Sequence, residues 1–282
     1  MKIHHLDCGT MHPALPRLIH GSVPPEQRHM VCHCLLIETQ DHGLVLVDSG
    51  YGTQDVAAPR ERLGRLFLSG LRPGLDPEAT AIGRVRALGH DPADVRHIVL
   101  THLDLDHAGG LSDFPQARVH VMAAELEATR HLRGRRALRY RPAQWAHGPD
   151  WCLHGELGEP WFGFEAVRAL PGLPPEILMV PLAGHSPGHA GVAIDTGQGW
   201  LLHGGDAWFH RGAVDSNAPR PTFALALFER FMQWRGDLRA QNQVRLQRVG
   251  RKNPNDIKMF CAHDAVEFQR FQKRLTIGSL SG

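Results

Sequence analysis

Four side chains that can bind a metal lie close together in the segment between Thr101 and Gly110. They are His102, Asp104, Asp106 and His107. The apolar residues before this segment predict a buried strand that ends near Leu100, and the glycines at its far end let the backbone turn sharply. Because residues two apart on an extended chain point the same way, the first three ligands can converge, and the fourth can reach a second metal. The segment therefore predicts a metal site in a loop at the end of a strand.

Further candidate ligands follow other apolar runs, in each case after a small residue. The runs span residues 177–182, 200–202 and 257–261, and the candidates after them are His185, His189, Asp206 and His263. Hydrolytic metal sites combine several protein ligands with an open position for water, so one loop would not be enough. The repeated order of strand, small residue and ligand therefore predicts one site that is assembled from several strand ends.

The ordered motifs of the chain resemble those of the metallo-β-lactamase-fold hydrolase superfamily. The motifs are His-x-Asp-x-Asp-His, Gly-His-Ser-Pro-Gly-His, Gly-Asp and a late His. The segments 34–38 and 44–50 are also similar to the early hairpin and the Val-Asp-Ser-Gly turn of that fold, so the resemblance spans nearly the whole chain. It implies an α/β fold, a four-layer αββα sandwich with the metals at an edge that both sheets share. It also implies a single domain over residues 1–282.

The resemblance divides the candidate ligands between two divalent metal ions. One ion would be held by His102, Asp104 and His185, and the other by Asp106, His107 and His263. Asp206 would bridge the two ions. Asp48, a carboxylate at the end of a buried strand, and His189 would support the ligands from behind. The resemblance therefore implies a dinuclear centre, most often of zinc in this superfamily.

Asp104 stands where the family pattern usually has His. A carboxylate makes the centre less positive and suits harder cations, so Mn²⁺ and Fe²⁺ become alternatives to Zn²⁺. A second interpretation is that Asp104 only accepts hydrogen bonds from a neighbouring His, which would leave a single bound metal. Flavodiiron oxidoreductases have an acidic residue at this position, so a di-iron redox protein is a further alternative.

The predicted centre suits the hydrolysis of an ester or a lactone. A metal lowers the pKa of bound water toward about 7, so a metal-bound hydroxide could attack the carbonyl, with Asp106 as the catalytic residue that moves the proton. Size and layout resemble the lactonase-like members of the superfamily. Those members carry a Tyr shortly after the bridging Asp, whereas Trp208 and Phe209 occupy this region here and are candidate substrate contacts. A glyoxalase II-type thioesterase and a low-turnover, ligand-binding effector remain alternatives.

Two segments fit the sandwich poorly and are expected as insertions near the active-site cleft, at about 51–79 and 130–162. The second begins with six arginines and no acidic residue between residues 130 and 141. Such a run is usually a solvated face or an interface. Because aromatic residues follow, it could instead form a lid over an anionic, partly apolar substrate, with Arg135 and Arg136 as contacts.

Composition limits the remaining possibilities. With 282 residues, of which 42% are hydrophobic, the chain can build one large core. A net charge of +2 gives no basic footprint for nucleic acid. No apolar segment approaches membrane-spanning length, and the five cysteines form no Cys-x-x-Cys motif, which favours reduced thiols. We therefore expect a cytoplasmic protein that acts on a small molecule, does not bind membranes and is compatible with a homodimer.

Hydrophobic periodicity predicts alternating strands and helices. Strands are expected near residues 3–7, 33–39, 43–48, 97–100, 118–122, 177–182, 190–195, 199–203 and 257–261. Helices are expected near residues 80–88, from Gly109 onward, at 123–132 and, as one long helix, at about 224–247. On this interpretation the chain ends in a strand, without the helical extension that glyoxalase II-type thioesterases have.

Overall fold

The computed structural model describes residues 1–155, 158–166 and 170–278. Its larger sheet consists of β1 (Lys2–Asp7), β2 (His33–Glu38), β3 (Leu44–Val47), β4 (Val95–Val99), β5 (Arg118–Met122) and β6 (Asp150–His154). The strands lie side by side in chain order. The first three pair antiparallel, and β3 to β6 pair parallel.

The second half of the chain forms a short hairpin and a smaller sheet. The hairpin consists of β7 (Glu159–Trp161) and β8 (Phe164–Ala166), and the sheet of β9 (Ile177–Pro181), β10 (Ala190–Asp195), β11 (Trp200–His203) and β12 (Ile257–Phe260). The order of the sheet is β12, β11, β10, β9, and only β11 and β12 pair parallel.

Short helices connect and cover the sheets. They are α1 (Pro16–His20), α2 (Thr53–Ala57), α3 (Pro59–Arg62), α4 (Arg65–Leu71), α5 (Ala81–Ala87), α6 (Ala123–His131), α7 (Phe223–Met232), α8 (Gly236–Lys252) and α9 (Ala265–Gly278). Short 3₁₀ segments span Pro25–Gln27, Pro77–Ala79, Pro92–Asp94, Gly109–Asp113, Gly134–Arg139, Pro142–Trp145 and Arg211–Ala213. The helix predicted to open at Gly109 is thus a 3₁₀ segment of five residues.

The central strands are apolar on both faces because both faces are covered. Leu35 and Val47 point to the core between the two sheets, whereas their neighbours Leu36 and Leu46 point to the core beneath α5 and α6. On the far side, Leu246 of α8 packs against the outer face of the smaller sheet. The layers therefore run helix, sheet, sheet, helix, and the predicted αββα sandwich is confirmed.

The predicted long helix at about 224–247 is wrong, because the chain breaks between α7 and α8. The backbone N–H of Trp234 donates to the carbonyl oxygens of Gly184 and His185, at 3.0 and 2.8 Å. Gln233 has extended backbone angles, and α8 starts afresh at Gly236. The helix is therefore interrupted by tertiary hydrogen bonds to a loop that carries a candidate metal ligand.

Two further expectations need correction. β12 is not the last element that the structure describes, because α9 follows it and packs against β1, with Phe271 next to the core between the sheets. In addition, residues 150–154 of the expected insertion at 130–162 form β6, which pairs with β5 at the edge of the larger sheet. Among the helices that the structure describes, none has the length and apolar character to span a bilayer.

Candidate metal centre

The seven predicted metal ligands come together in loops that leave one edge of the two sheets. The loops follow β4, β9, β11 and β12, and the ligands are His102, Asp104, Asp106, His107, His185, Asp206 and His263. All seven side chains are buried. Their ligand atoms form two groups, each within 4.8 Å, which are His102, Asp104, His185 and Asp206 in the first and Asp106, His107 and His263 in the second.

Asp206 lies between the two groups and presents one carboxylate oxygen to each. Its Oδ1 is 3.4 Å from His107 Nε2 and 3.1 Å from His263 Nε2. Its Oδ2 is 3.3 Å from His185 Nε2 and 3.7 Å from His102 Nε2. This arrangement is what a carboxylate that bridges two cations requires.

The atoms that face the interior of the cluster fit metal binding. Nε2 of His102, Nε2 of His107 and Oδ1 of Asp206 are buried and have no hydrogen-bond partner among the described residues. Buried polar atoms are rarely left unpaired, because their desolvation is not compensated. Imidazole and carboxylate groups are the usual donors to first-row divalent ions. The donor set of this cluster therefore suits divalent metals.

The electrostatics of the cluster also favour bound cations. Burial disfavours the protonated form of His107, yet Asp206 and Asp48 raise the pKa of this imidazole well above its usual value. Burial likewise opposes ionisation of Asp206, yet His263 and His107 hold the pKa of this carboxyl well below its usual value. The cluster thus concentrates negative charge that bound metal ions would balance.

Asp48 supports the cluster from behind, as its position in the sequence led us to expect. Its Oδ2 is 2.8 Å from Nδ1 of His107, so Nε2 of the same ring faces the cluster. Its carboxylate also accepts hydrogen bonds from the backbone N–H and the hydroxyl of Thr101, at 2.7 and 2.8 Å. Asp48 adopts a left-handed backbone with φ 56°, which Asp tolerates better than most residues. This carboxylate therefore fixes the orientation of one ligand.

His189 holds the backbone of the bridging residue. Its Nε2 accepts a hydrogen bond of 2.9 Å from the backbone N–H of Asp206, so in this structure it is not directed at the cluster. Burial lowers the pKa of His189 well below the usual value, which keeps the ring neutral and able to accept. The supporting role of His189 at a metal centre stays a prediction.

Glu125, near the start of α6, is a supporting residue that the sequence did not reveal. Its buried carboxylate accepts hydrogen bonds from the backbone N–H groups of Leu103 and Gly188 and from the hydroxyls of Ser186 and Tyr140. The donors belong to two ligand-bearing loops and to the arginine-rich segment. A Glu on a helix facing the core was the available signal, because a buried carboxylate needs partners.

Arg139 is the second residue that the sequence did not single out. Its guanidinium forms a bidentate pair with Asp104, in which Nε donates to Oδ1 at 2.5 Å and Nη2 donates to Oδ2 at 2.6 Å. Its Nη1 donates to the carbonyl oxygens of His185 and Met232, at 2.7 and 3.1 Å. One arginine of the segment 130–141 is therefore buried inside the candidate centre and is not part of a solvated face.

A cavity of about 730 Å³ opens beside the cluster, where Asp104, Asp106 and Arg139 line it. Helices α1, α4 and α7 contribute to its wall, together with the loop after β4 and the arginine-rich segment. The apolar part of the wall includes Ile19, Leu66, Phe67, Leu71, Leu105, Phe228 and Met232. Arg65, Arg136 and Arg141 add positive charge to an otherwise apolar space.

The predicted substrate contacts have different positions. Arg136 lines the cavity, whereas the side chain of Arg135 lies outside the described residues. Trp208 is fully buried in the core on the outer face of the smaller sheet, where its indole lies against Gly204, so the prediction that it contacts substrate is wrong. Phe209 packs edge-on against His185 and His263, and its ring centroid lies 5.6 and 5.2 Å from theirs. Its ring therefore supports the side chains of two candidate ligands.

Comparison with known proteins agrees with this geometry. The family model of the metallo-beta-lactamase superfamily matches residues 28–241. The chain is 43% identical to Probable metallo-hydrolase Rv2300c of Mycobacterium tuberculosis, over 95% of this chain and 82% of that protein. It is 27% identical to an N-acyl homoserine lactonase of Bacillus thuringiensis, over 77% of this chain and 83% of the lactonase.

The fold is also similar to that of a solved N-acyl homoserine lactone hydrolase with the product N-hexanoyl-L-homoserine bound at its catalytic metal centre. The TM-score is 0.68 at 22% identity, and the match covers 95% of each chain. The family model covers more than half of this chain, and its ligand-bearing loops converge as that fold requires. The chain belongs to the metallo-β-lactamase superfamily.

Proposed function

We propose that this metallo-hydrolase cleaves an ester or lactone bond at a dinuclear metal centre. The observation that carries the proposal is the position of Asp206, whose two carboxylate oxygens face two separate groups of ligands beside a cavity. Two divalent ions held by these groups would supply the Lewis-acid chemistry that hydrolysis needs. We propose zinc for the centre, with manganese or iron as alternatives because of Asp104.

Different residues of the chain would have different roles in such a reaction. The first group of ligands, with Asp104, and the second group, with Asp106, would each hold one divalent ion. Bound metal supplies Lewis-acid chemistry, because it lowers the pKa of water and polarises a carbonyl oxygen. Asp106 lines both the cluster and the cavity, so its carboxylate is placed to accept a proton and return it to the leaving oxygen. Asp48 keeps Nε2 of His107 directed at the centre.

The cavity supports a substrate with an apolar part. Leu66, Phe67 and Phe228 give its wall an apolar character, while Arg136 adds positive charge that would suit a polar or anionic group. The likeness to N-acyl homoserine lactonases makes N-acyl homoserine lactones the first substrates to test. Neither of the two tyrosines of the chain lines the cavity, however, so any contact by a tyrosine hydroxyl would have to be replaced by another group.

The alternatives receive less support. The thioesterase alternative was disfavoured because we expected no helix after the last strand, and α9 is such a helix. However, α9 packs against β1, and none of its described residues lines the cavity. A di-iron oxidoreductase was suggested by the acidic residue at position 104. Both oxygens of Asp104 are paired with Arg139, so the acidic residue at this position does not by itself indicate redox chemistry at iron.

The proposal is tested by metal analysis combined with a substrate panel. The protein would be purified without added metal, analysed for metal content, and assayed with lactones of different acyl length, aryl esters and thioesters. We expect lactone or ester turnover that is lost on chelation and lost in Asp106→Ala, while Asp94→Ala, at an exposed position, keeps the wild-type rate. Two equivalents of iron without hydrolysis, or wild-type turnover in Asp106→Ala, would contradict the proposal.

Three expectations accompany this function. The insertions predicted at about 51–79 and 130–162 both contribute cavity-lining residues, which supports one domain with its cleft built from these segments. The five cysteines are all free, four of them buried, which supports the cytoplasmic location that we propose. We also propose a homodimer, which a measurement of the molecular mass in solution would test.

A further inference from the structure

We propose that Arg139 makes the two metal positions unequal, because its guanidinium competes with one metal ion for Asp104 and His185. The position that contains Asp106, His107 and His263 would fill first. The position that contains Asp104 and His185 would fill only at a higher metal concentration, when the arginine withdraws. The inference rests on the metal-binding part of the proposed function and does not depend on the substrate.

The first argument is that Arg139 already uses the atoms that a metal would need. Its two contacts with Asp104 occupy both carboxylate oxygens in a side-on pair. Its Nη2 also contacts Nε2 of His185, the atom of that ring which faces Asp206. A guanidinium and a metal ion are both cations that seek the same lone pairs, and a nitrogen or oxygen lone pair can serve only one of them at a time.

The second argument is that the guanidinium is held in place and is not a mobile surface group. Arg139 is almost fully buried, and its Nη1 donates to carbonyl oxygens of His185 and Met232. All three nitrogens of the side chain therefore have acceptors on three different segments of the chain. Because a planar, bidentate pair with a carboxylate is the strongest arrangement that arginine makes, a metal must displace a well-satisfied cation.

The third argument is the contrast with the other position. Among the described residues, the ion-pair contacts of Asp106 are with His107 and His263, and no arginine or lysine approaches it. The neighbouring Nε2 of His107 has no hydrogen-bond partner in the part of the chain that the structure describes. A metal entering this position displaces no arginine or lysine side chain from its ligands, so it should bind more tightly there.

Arg139 also has space into which it can withdraw. It belongs to the 3₁₀ turn Gly134–Arg139 and lines the cavity beside the cluster. The cost of occupying the second position is therefore the loss of the arginine pair, and the fold itself need not open. This gives Asp104 a consistent explanation, since a carboxylate at this position can form a bidentate ion pair with arginine, whereas a neutral histidine could accept only one hydrogen bond from it.

The test is a metal titration of the metal-free protein. Mn²⁺ or Zn²⁺ would be titrated by calorimetry into wild-type protein and into Arg139→Gln, with bound metal counted by elemental analysis. For the wild type we expect two steps whose dissociation constants differ by roughly 100-fold. In Arg139→Gln we expect the weaker step to tighten by about 10-fold or more, because removal of the competing cation leaves Asp104 free, a change of the size seen when groups around a metal are altered.

A matched control is Arg133→Gln, which changes an exposed arginine of the same segment whose side chain, among the described residues, donates to the carbonyl oxygens of Arg130 and Leu132. The dissociation constants of both metal-binding steps of Arg133→Gln should equal those of the wild type. A second readout is the melting temperature of the metal-free proteins. Arg139→Gln should melt at a lower temperature, since Asp104 loses its partner, and metal should raise this temperature more than it does in the wild type.

Several results would overturn the inference. The inference is wrong if wild-type protein binds two metal ions with equal dissociation constants. It is also wrong if the weaker metal-binding step has an unchanged or larger dissociation constant in Arg139→Gln. If Arg139→Gln does not fold, Arg139→Lys takes its place, because lysine keeps the charge but loses the bidentate geometry. In Arg139→Lys the weaker metal-binding step should tighten by a smaller factor than in Arg139→Gln. An unchanged dissociation constant for this step would contradict the inference. A protein with two unequal steps but no hydrolysis would refute the proposed reaction and leave this inference intact.

Discussion

Glu125 accepts a hydrogen bond of 2.7 Å from the hydroxyl of Ser186, which ties helix α6 to the loop that carries His185. The same carboxylate accepts a bond of 3.1 Å from the backbone N–H of Leu103, in the loop after β4. Two loops that are distant in sequence and carry most of the candidate ligands are thus held by one buried side chain. We therefore expect the arrangement of the candidate ligands to depend on this carboxylate.

We expect Glu125→Gln to destabilise the protein and to weaken its metal binding. A carboxylate accepts with both oxygens, whereas an amide would turn its own N–H groups toward donors that need acceptors. Leaving buried donors unpaired costs about 2–3 kcal/mol, which denaturant unfolding of the metal-free protein would measure. Metal titration of the same variant should show both steps weakened, since the loops lose their common support.

Glu127→Gln is the matched control, because Glu127 lies on the same helix and is exposed. Its ion pairs with Arg130 and His131 are at the surface, where such pairs contribute little. The free energy of unfolding should change by less than about 1 kcal/mol. If Glu125→Gln behaved like this control, the role that we assign to Glu125 would have to be abandoned.

Replacing Asp48 by Asn should weaken metal binding while preserving the fold. Asn accommodates the left-handed backbone at this position, so the change affects the charge and the contacts of the carboxylate with His107 and Thr101. Groups that orient a histidine ligand typically contribute about 10- to 100-fold to metal affinity. We expect a loss of that size in the tighter step of a metal titration, because His107 belongs to the position that fills first.

Asp41→Asn, at an exposed position in the turn after β2, serves as the control for this change. Its two binding steps should match those of the wild type. Asp48→Asn with wild-type affinity in the tighter step would show that His107 does not need its carboxylate partner.

The convergence of the candidate ligands could be predicted from the sequence because their signal is local. A strand that ends in a small residue and a His or Asp directs that side chain to the edge of a sheet, and this holds for His102, His185 and His263 alike. The resemblance to a known family then supplied the grouping that local patterns cannot give. Asp206 was assigned as the bridge on that ground, and its two oxygens do face the two groups.

The pairing of Arg139 with Asp104 could not be predicted, because the two residues are 35 positions apart and nothing distinguishes Arg139 from the other arginines of its segment. The break between α7 and α8 was missed for a similar reason. Helical periodicity continues through Gln233, and only the tertiary bonds from Trp234 to Gly184 end the helix. Trp208 was misplaced because an aromatic residue near a ligand suits a substrate site and a core equally well.

Leu66→Asp should reduce the preference for substrates with long apolar chains. Leu66 lies on α4, lines the cavity and is 80% exposed, so the change should not disturb the core. A charge at this wall would have to be desolvated by a long chain but not by a short one. With whichever ester or lactone series the enzyme accepts, KM should rise roughly 10-fold for long chains and less than about 2-fold for short ones.

Leu88→Asp is the control, since Leu88 is another exposed leucine and lies at the end of α5, outside the cavity lining. It should leave the dependence of KM on chain length unchanged. Equal effects of the two changes, or none from Leu66→Asp, would mean that the apolar chain of the substrate lies elsewhere.

Glu267, on α9, should make the stability of the protein fall as the pH rises. Burial, together with the nearby Asp264, raises the pKa of this carboxyl from 4.5 to about 8, while the backbone N–H of Cys261 donates to it. Between these two pKa values the folded state holds a proton that the unfolded state has released, so the free energy of unfolding decreases with increasing pH across this range.

Glu267→Gln removes this dependence, because an amide resembles the protonated acid and does not titrate. Relative to the wild type, the free energy of unfolding of Glu267→Gln should therefore increase by on the order of 3 kcal/mol between pH 5 and about pH 8. Denaturant unfolding of metal-saturated protein at several pH values measures this difference. Glu61→Gln, at an exposed position, should differ from the wild type by a constant amount across the same range. A constant difference for Glu267→Gln as well would show that Glu267 is already ionised at pH 5.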